Sequence, residues 1–336
     1  MSPRKTDTPQ PDSTHPDSVR VIADAAALPW LAQHVATLRQ WRDDGRLPHA
    51  LLVHGPAGWG KQRLVRGWVA ELLGVPTGSD DEPPAHPDLR WVTTDATTES
   101  RQIKIDQVRE LNDYVASTSV RGRKVAVLID AERMNTNAAN ALLKTLEEPP
   151  GSAHIVLVSE RPWALLPTIR SRCSALVVRP DAAAADAWRA RLPAATRPSD
   201  DVWWLAGGAP LTALSLQVSG EGEAQLAALA AIHALPAAPS RLASVVQQAT
   251  ACALPLLFDG WLRVLHTRQL AAHGVDRALP DWATAGNARS SAPGSALDAL
   301  VDEIRWSKRA VLGTGNPNAT LLLESLLLRW CAAAAG

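Results

Sequence analysis

Gly55, Gly60 and Lys61, spaced as they are in HGPAGWGKQRL (54–64), are the residue types that hold a phosphate chain. Backbone N–H groups at the start of a helix cradle the phosphates, and the lysine reaches the terminal oxygens. Gly58 belongs to the same turn. The position after the lysine normally carries Ser or Thr, whose hydroxyl holds Mg²⁺. Here it is Gln62, longer and without a hydroxyl, so metal-assisted hydrolysis is weakened at its first step. A second acidic element follows in VAVLIDAERMN, where Asp130 closes an apolar strand as a metal-side carboxylate would. Hydrolysing phosphate loops often place Glu next, to polarise water. This chain has Ala131, and Glu132 comes one place later. Neighbouring strand side chains point to opposite faces, so Glu132 is expected to be a solvated loop carboxylate.

Other reactive residue types carry weaker signals. Cys173, Cys252 and Cys331 are far apart and odd in number, which suits a reducing compartment and offers no metal spacing. No histidine stands beside Cys173 to activate a nucleophile. His86 alone cannot hold zinc, and zinc is not expected. Arg121, Arg123 and Lys124 read as a solvated basic loop that phosphates could touch only if it faced nucleic acid. The chain has 13 Trp against one Phe and one Tyr; the pair Trp203-Trp204 invites base stacking, but its helical context favours core packing.

To bring Lys61 and Asp130 together, the chain needs strands that end at one edge of a sheet. Four short apolar runs bounded by turn residues supply them at 50–54, 89–93, 125–129 and 154–159, with a fifth at 175–179. Helical patterns lie between them: KQRLVRGWVAELLG, IKIDQVRELNDYVAS and NTNAANALLKTLEE, the last stopped by Pro149-Pro150-Gly151. Alternating strands and helices imply a mostly parallel sheet covered on both faces, with ligands at the strand carboxyl ends. Beyond about residue 180, Ala/Leu-rich stretches of helical spacing take over. The expected fold class is therefore α/β followed by all-α.

The 336 residues carry 34 acidic and 34 basic side chains, a formal charge of zero. Any contact with nucleic acid must come from a local patch or a partner, which argues against an autonomous DNA-binding protein. The N-terminal MSPRKTDTPQPDSTHPDS is polar and Pro-rich, without the apolar segment of a signal peptide, and reads as a disordered tail. PTGSDDEPPAHPD (76–88) and RSSAPGS (289–295) read as loops. No stretch reaches the ~20 clean apolar residues of a membrane span, so a cytoplasmic protein is expected.

Taken in order behind the phosphate loop, LIDAERMN, NALLKTLEEPP and LLPTIRSRC resemble the bacterial DNA polymerase III clamp-loader subunits of the AAA+ superfamily, over about residues 28 to 180. The resemblance implies an AAA+ P-loop domain at 19–180 behind a tail at 1–18, a small helical lid at 181–221, and a helical collar at 222–336. It also implies a degenerate nucleotide site at Gly55, Gly58, Gly60, Lys61 and Asp130, and a Ser171-Arg172-Cys173 motif whose Arg172 acts in trans on a neighbour's ATP. Arg170 precedes that match. Gln62, Ala131 and the absence of a sensor arginine in GGAPLTALSLQ (207–217) set the chain apart from the hydrolysing tau/gamma type and liken it to the delta prime type. Partners implied are tau/gamma and delta subunits and, through the complex, the sliding clamp and primed DNA. No cofactor is required, although the loop keeps a shape for residual ATP or ADP binding. The alternatives are a tau/gamma-like ATPase and, further off, a P-loop nucleotide kinase. The family's four-cysteine zinc module has no counterpart, because the 74–88 interval holds no cysteine.

Overall fold

The computed structural model describes residues 28–77, 83–94, 102–120, 122–275, 279–284, 294–313 and 317–335. The expected N-terminal tail, residues 78–82 of the acidic loop, Arg121 and most of the 289–295 loop lie outside them.

All five apolar runs are strands, each within a residue or two of its expected place: β1 (Ala50–His54), β2 (Leu89–Val92), β3 (Lys124–Leu128), β4 (Ala153–Ser159) and β5 (Ser174–Val177). They form one parallel sheet in the order β2-β3-β4-β1-β5. Register is fixed by burial on both faces, since a one-residue slip would exchange the two sets of side chains. Leu51, Val53, Val125, Val127, Val156 and Val158 pack into a core on one side. Their neighbours Ala50, Leu52, Ala126, Leu128, Ile155 and Leu157 pack into a second core on the other.

The covering helices come from the segments between strands. Helix α1 (Ala32–Asp43) precedes the sheet, α2 (Lys61–Leu73) follows the phosphate loop, and α3 (Ile105–Ala116), α4 (Thr136–Glu147) and α5 (Pro167–Arg170) cover the second core. Helix α4 buries Ala138, Ala139, Leu142, Thr145 and Leu146, the stripe its periodicity predicts. It starts where the Asn135 side chain accepts the Ala138 N–H at 2.8 Å, a cap that satisfies an otherwise orphaned donor. Glu71 on α2 accepts from Arg39 and Arg42 of α1, tying the two helices together.

Beyond β5 every regular element among the described residues is helical: α6 (Ala182–Arg191), α7 (Asp200–Leu205), α8 (Pro210–Ser219), α9 (Glu221–Ala234), α10 (Leu242–Thr250), α11 (Leu254–Ala272), α12 (Asp281–Thr284), α13 (Gly294–Leu312) and α14 (Ala319–Ala335). Helix α6 sends Ala185 and Trp188 into the first core. Helices α9 to α14 enclose a third core around Phe258, Trp261 and Trp330. Helices α7 and α8 serve both: Leu214 packs into the first, while Val202, Leu205 and Leu216 pack into the third. Among the described residues no helix is long and apolar enough to cross a membrane.

Candidate functional site

The loop between β1 and α2 has the backbone its glycines allow. Gly55 lies against β5's continuation, where a Cβ would stand 2.1 Å from the Val178 carbonyl oxygen. Gly58 is left-handed at φ 74°, a conformation glycine adopts at little cost, and a Cβ there would meet Thr212 Oγ1 at 2.2 Å. Helix α8 thus sits directly on the loop, and the Leu211 N–H donates to the Gly58 carbonyl at 3.0 Å. Trp59, inside the loop, is buried edge-on against Trp30, which is itself edge-on to Trp188 of α6. Trp30 Nε1 donates to the Trp59 carbonyl at 3.0 Å.

Lys61 is at the predicted place but faces inward. Its side chain is 5% exposed; Nζ donates to the Pro56 carbonyl at 2.7 Å and lies 3.7 Å from Glu160 Oε1. Burial pushes its pKa down, while the charges of Glu160, Glu132 and Asp130 pull it back up. The cleft in front has a volume of 260 Å³ and is lined by Gly58, Gly60, Lys61, Gln62, Asp130, Glu160 and Leu211, with Arg63 and Arg66 of α2. Ligand pockets usually run to ~300–1,000 Å³. Leu211 of α8 forms one wall, within the stretch where no sensor arginine was found in the sequence.

Asp130 reaches the cleft as expected. Its backbone is left-handed (φ 53°, ψ 47°), and the chain leaves strand geometry there to enter a short 3-10 turn, Ala131–Arg133. Alternation of side chains therefore ends at Asp130, and the expectation of a solvated Glu132 is overturned. The Glu132 side chain is 3% exposed, lies 3.8 Å from Arg161 Nε, and accepts the Glu160 N–H at 3.2 Å. Asp130 lies 3.7 Å from Arg133 Nε. Burial raises the pKa of both Asp130 and Glu160. For Asp130 the neighbouring Glu132 adds to the rise; for Glu160 the Lys61 ammonium opposes it.

Arg172 does not line this cleft. It follows α5, whose Ile169 is buried and anchors the segment. Its Nη1 donates to the Thr168 carbonyl at 2.9 Å and its Nη2 pairs with Glu147 Oε1 of α4 at 2.5 Å, and the side chain is about one-third exposed. Ser171 is exposed and donates to the Thr168 carbonyl at 3.1 Å; Arg170 is exposed too. Cys173 packs against the second core, and burial pushes its thiol up to about 11, so almost no thiolate exists near neutrality.

The expectation of a solvated Lys124 is also overturned. It is 5% exposed, donates to Tyr114 O at 2.7 Å and to Ser117 Oγ, and lies 4.2 Å from the Tyr114 ring centroid. It secures the C-terminal carbonyls of α3, where a cation complements the helix dipole. Trp203 and Trp204 pack in the cores, each under an arginine: Arg189 at 5.0 Å and Arg263 at 5.3 Å. Sequence reasoning missed Glu160, Arg63 and Arg66 as cleft residues, and the buried Glu132 behind Glu160. The two arginines had a signal, since charged residues one and two turns into an otherwise apolar helix after a phosphate loop must face something polar. Glu160 had none.

A parallel sheet in this order, a glycine loop leading into a helix, an acid at the end of β3 and a helical region behind them define a P-loop protein of the AAA+ class. Residues 30–182 match the family model described as DNA polymerase III, delta subunit. The chain is 36% identical over 301 residues to DNA polymerase III subunit delta' of Pseudomonas aeruginosa, covering 84% of this chain and 91% of that one. It is 33% identical over 157 residues to the protein of the same name from Escherichia coli K12, covering 43% and 46%. A DNA polymerase III gamma subunit-related protein from Thermotoga maritima superposes with a TM-score of 0.53 at 19% identity, covering 88% of this chain and 99% of that one. The chain belongs to the DNA polymerase III delta prime family.

Proposed function

We propose that the chain is the delta prime subunit of a bacterial clamp loader, a cytoplasmic complex with tau/gamma and delta subunits that places the sliding clamp on primed DNA. In this reading it hydrolyses no ATP of its own and supplies Arg172 in trans to a neighbouring tau/gamma nucleotide. The lid is taken as 181–221 and the collar as 222–336, the latter serving to pack against the other subunits.

One observation carries the reading: the arginine is presented and the home site is incomplete. The Arg172 side chain is about one-third exposed, its fork held by a carboxylate and a carbonyl, and it lies outside its own chain's cleft. A planar, always charged fork suits the equatorial oxygens of a transferring phosphoryl group. The home cleft offers no hydroxyl at position 62 for Mg²⁺ and no acid at 131 to polarise water. On the β4–α5 segment leading to Arg172, Trp163 is 72% exposed, a size and placement suited to docking on a neighbour.

Reconstitution of the full complex with its motor subunits tests this. Replacing Arg172 by Ala should reduce DNA-stimulated ATP hydrolysis by about tenfold or more at the site it serves, and Arg172→Lys should restore little because the fork is lost. Unchanged hydrolysis in an assembled Arg172→Ala complex would overturn the role. Magnesium-dependent turnover by the isolated wild-type chain, abolished by Lys61→Ala, would instead favour a tau/gamma-like ATPase.

A further inference from the structure

The residues around Lys61 do not fit a bound nucleotide, and the misfit points to one side chain. We infer that Glu160 is the residue that sets what this cleft accepts: its carboxylate serves as the permanent counter-anion of Lys61 in place of a phosphoryl group.

Three observations converge. The first is position: Glu160 follows β4 directly, and its carboxylate faces the lysine ammonium at 3.7 Å, the partner a terminal phosphate would otherwise be. Its backbone is held there, because the Glu160 N–H donates to Glu132, which lies against Arg161. The second is charge. Each of the three acids has one base within 4 Å: Asp130 with Arg133, Glu132 with Arg161, and Glu160 with Lys61. A polyphosphate reaching Lys61 would bring its negative charges up to these three carboxylates, in a partly buried setting where like charges are poorly screened; Arg63 and Arg66 line the α2 side of the cleft. The third is room. The cleft holds 260 Å³, and α8 closes on the loop so tightly that the Leu211 N–H reaches the Gly58 carbonyl. The raised pKa of Glu160 and lowered pKa of Lys61, both caused first by burial, agree with two charges that depend on each other.

The inference concerns the chain's own cleft and stands whether or not Arg172 acts on a neighbour. Its test is nucleotide binding by the isolated full-length chain, titrated calorimetrically with ATPγS and ADP, with and without Mg²⁺. Glu160→Gln keeps the shape and removes the charge. Wild type should show no saturable binding at millimolar nucleotide, and Glu160→Gln should bind at least tenfold more tightly, without needing Mg²⁺, since Gln62 supplies no metal ligand. The double variant Glu160→Gln/Lys61→Ala should lose that gain. Thermal melts guard against misfolding: Glu160→Gln should melt below wild type, because it leaves a buried ammonium uncompensated, and nucleotide should raise its midpoint while leaving wild type unmoved. Micromolar binding by wild type, or no gain in a folded Glu160→Gln protein, would overturn the inference.

Discussion

At the scale of single residues, Arg172, the arginine proposed to act on a neighbour's nucleotide, has a companion that holds its fork. Arg172 pairs with Glu147 at 2.5 Å and with the Thr168 carbonyl at 2.9 Å, and both side chains of the ion pair are partly exposed. Such a pair is worth only about 0–1 kcal/mol, so it orients the fork without holding it against a stronger anion. Replacing Glu147 by Gln should therefore change stability in urea by less than about 1 kcal/mol. In the assembled complex it should lower kcat of DNA-stimulated hydrolysis a few-fold, with KM for ATP unchanged, because substrate binding belongs to the neighbour. Combined with Arg172→Ala it should add nothing, the mark of two residues acting as a unit. Additive effects of the two substitutions would separate Glu147 from the finger.

At the scale of elements, the phosphate loop and helix α8 are one packed unit. A methyl group at Gly58 would fall 2.2 Å from Thr212 Oγ1 and 2.9 Å from Ala209 Cβ, on a residue whose φ is +74°. Gly58→Ala should therefore cost about 1–3 kcal/mol in urea unfolding, from backbone strain and overpacking together. A variant as stable as wild type would mean that α8 is not seated on the loop. The loop itself was legible in the sequence because its glycines and lysine meet a local backbone requirement, and the five strands were legible because burial on both faces demands unbroken apolar runs. The acids around the lysine were not. Glu132 obeys strand alternation only as long as there is a strand, and the left-handed turn at Asp130 cancels the rule. Glu160 sits in the polar run SERP, where nothing local distinguishes a solvated glutamate from one that closes on a lysine brought across by β1 and β4. Lys124 likewise looked like part of a basic loop, because the α3 carbonyl end it secures comes from a different stretch of chain.

At the scale of the whole molecule, rigidity depends on how the sheet-containing part and the third, all-helical core are joined. Helices α7 and α8 lie between them, and α7 is fastened to α11 through Arg263. Its Nη1 donates to the Trp204 and Leu205 carbonyls at 3.0 Å each, ending α7 with a cation at its negative pole. The guanidinium lies 5.3 Å from the Trp204 ring centroid, and Trp204 meets Trp282 of α12 edge-on. Burial lowers the Arg263 pKa, opposed by Asp259, whose carboxylate pairs with Lys308 at 2.5 Å. The junction thus rests on hydrogen bonds to carbonyls and a ring contact. Arg263→Met keeps most of the length and packing but removes the charged donor, so the Leu205 carbonyl loses the Arg263 bond and the Trp204 carbonyl keeps only the Gly207 N–H. It should cost about 1.5–3 kcal/mol, the range for hydrogen bonds made by a charged group. The opening should be local first, because Gly207 and Gly208 directly follow α7 in left-handed conformations and have no side chains to hold them. Limited proteolysis should therefore cut the variant near 206–209 well before wild type, while the melting of the sheet-containing part changes little. Cleavage at the same rate in both proteins would show that the cores are held by apolar packing of α7 and α8 alone, and that Arg263 only fills space at the junction.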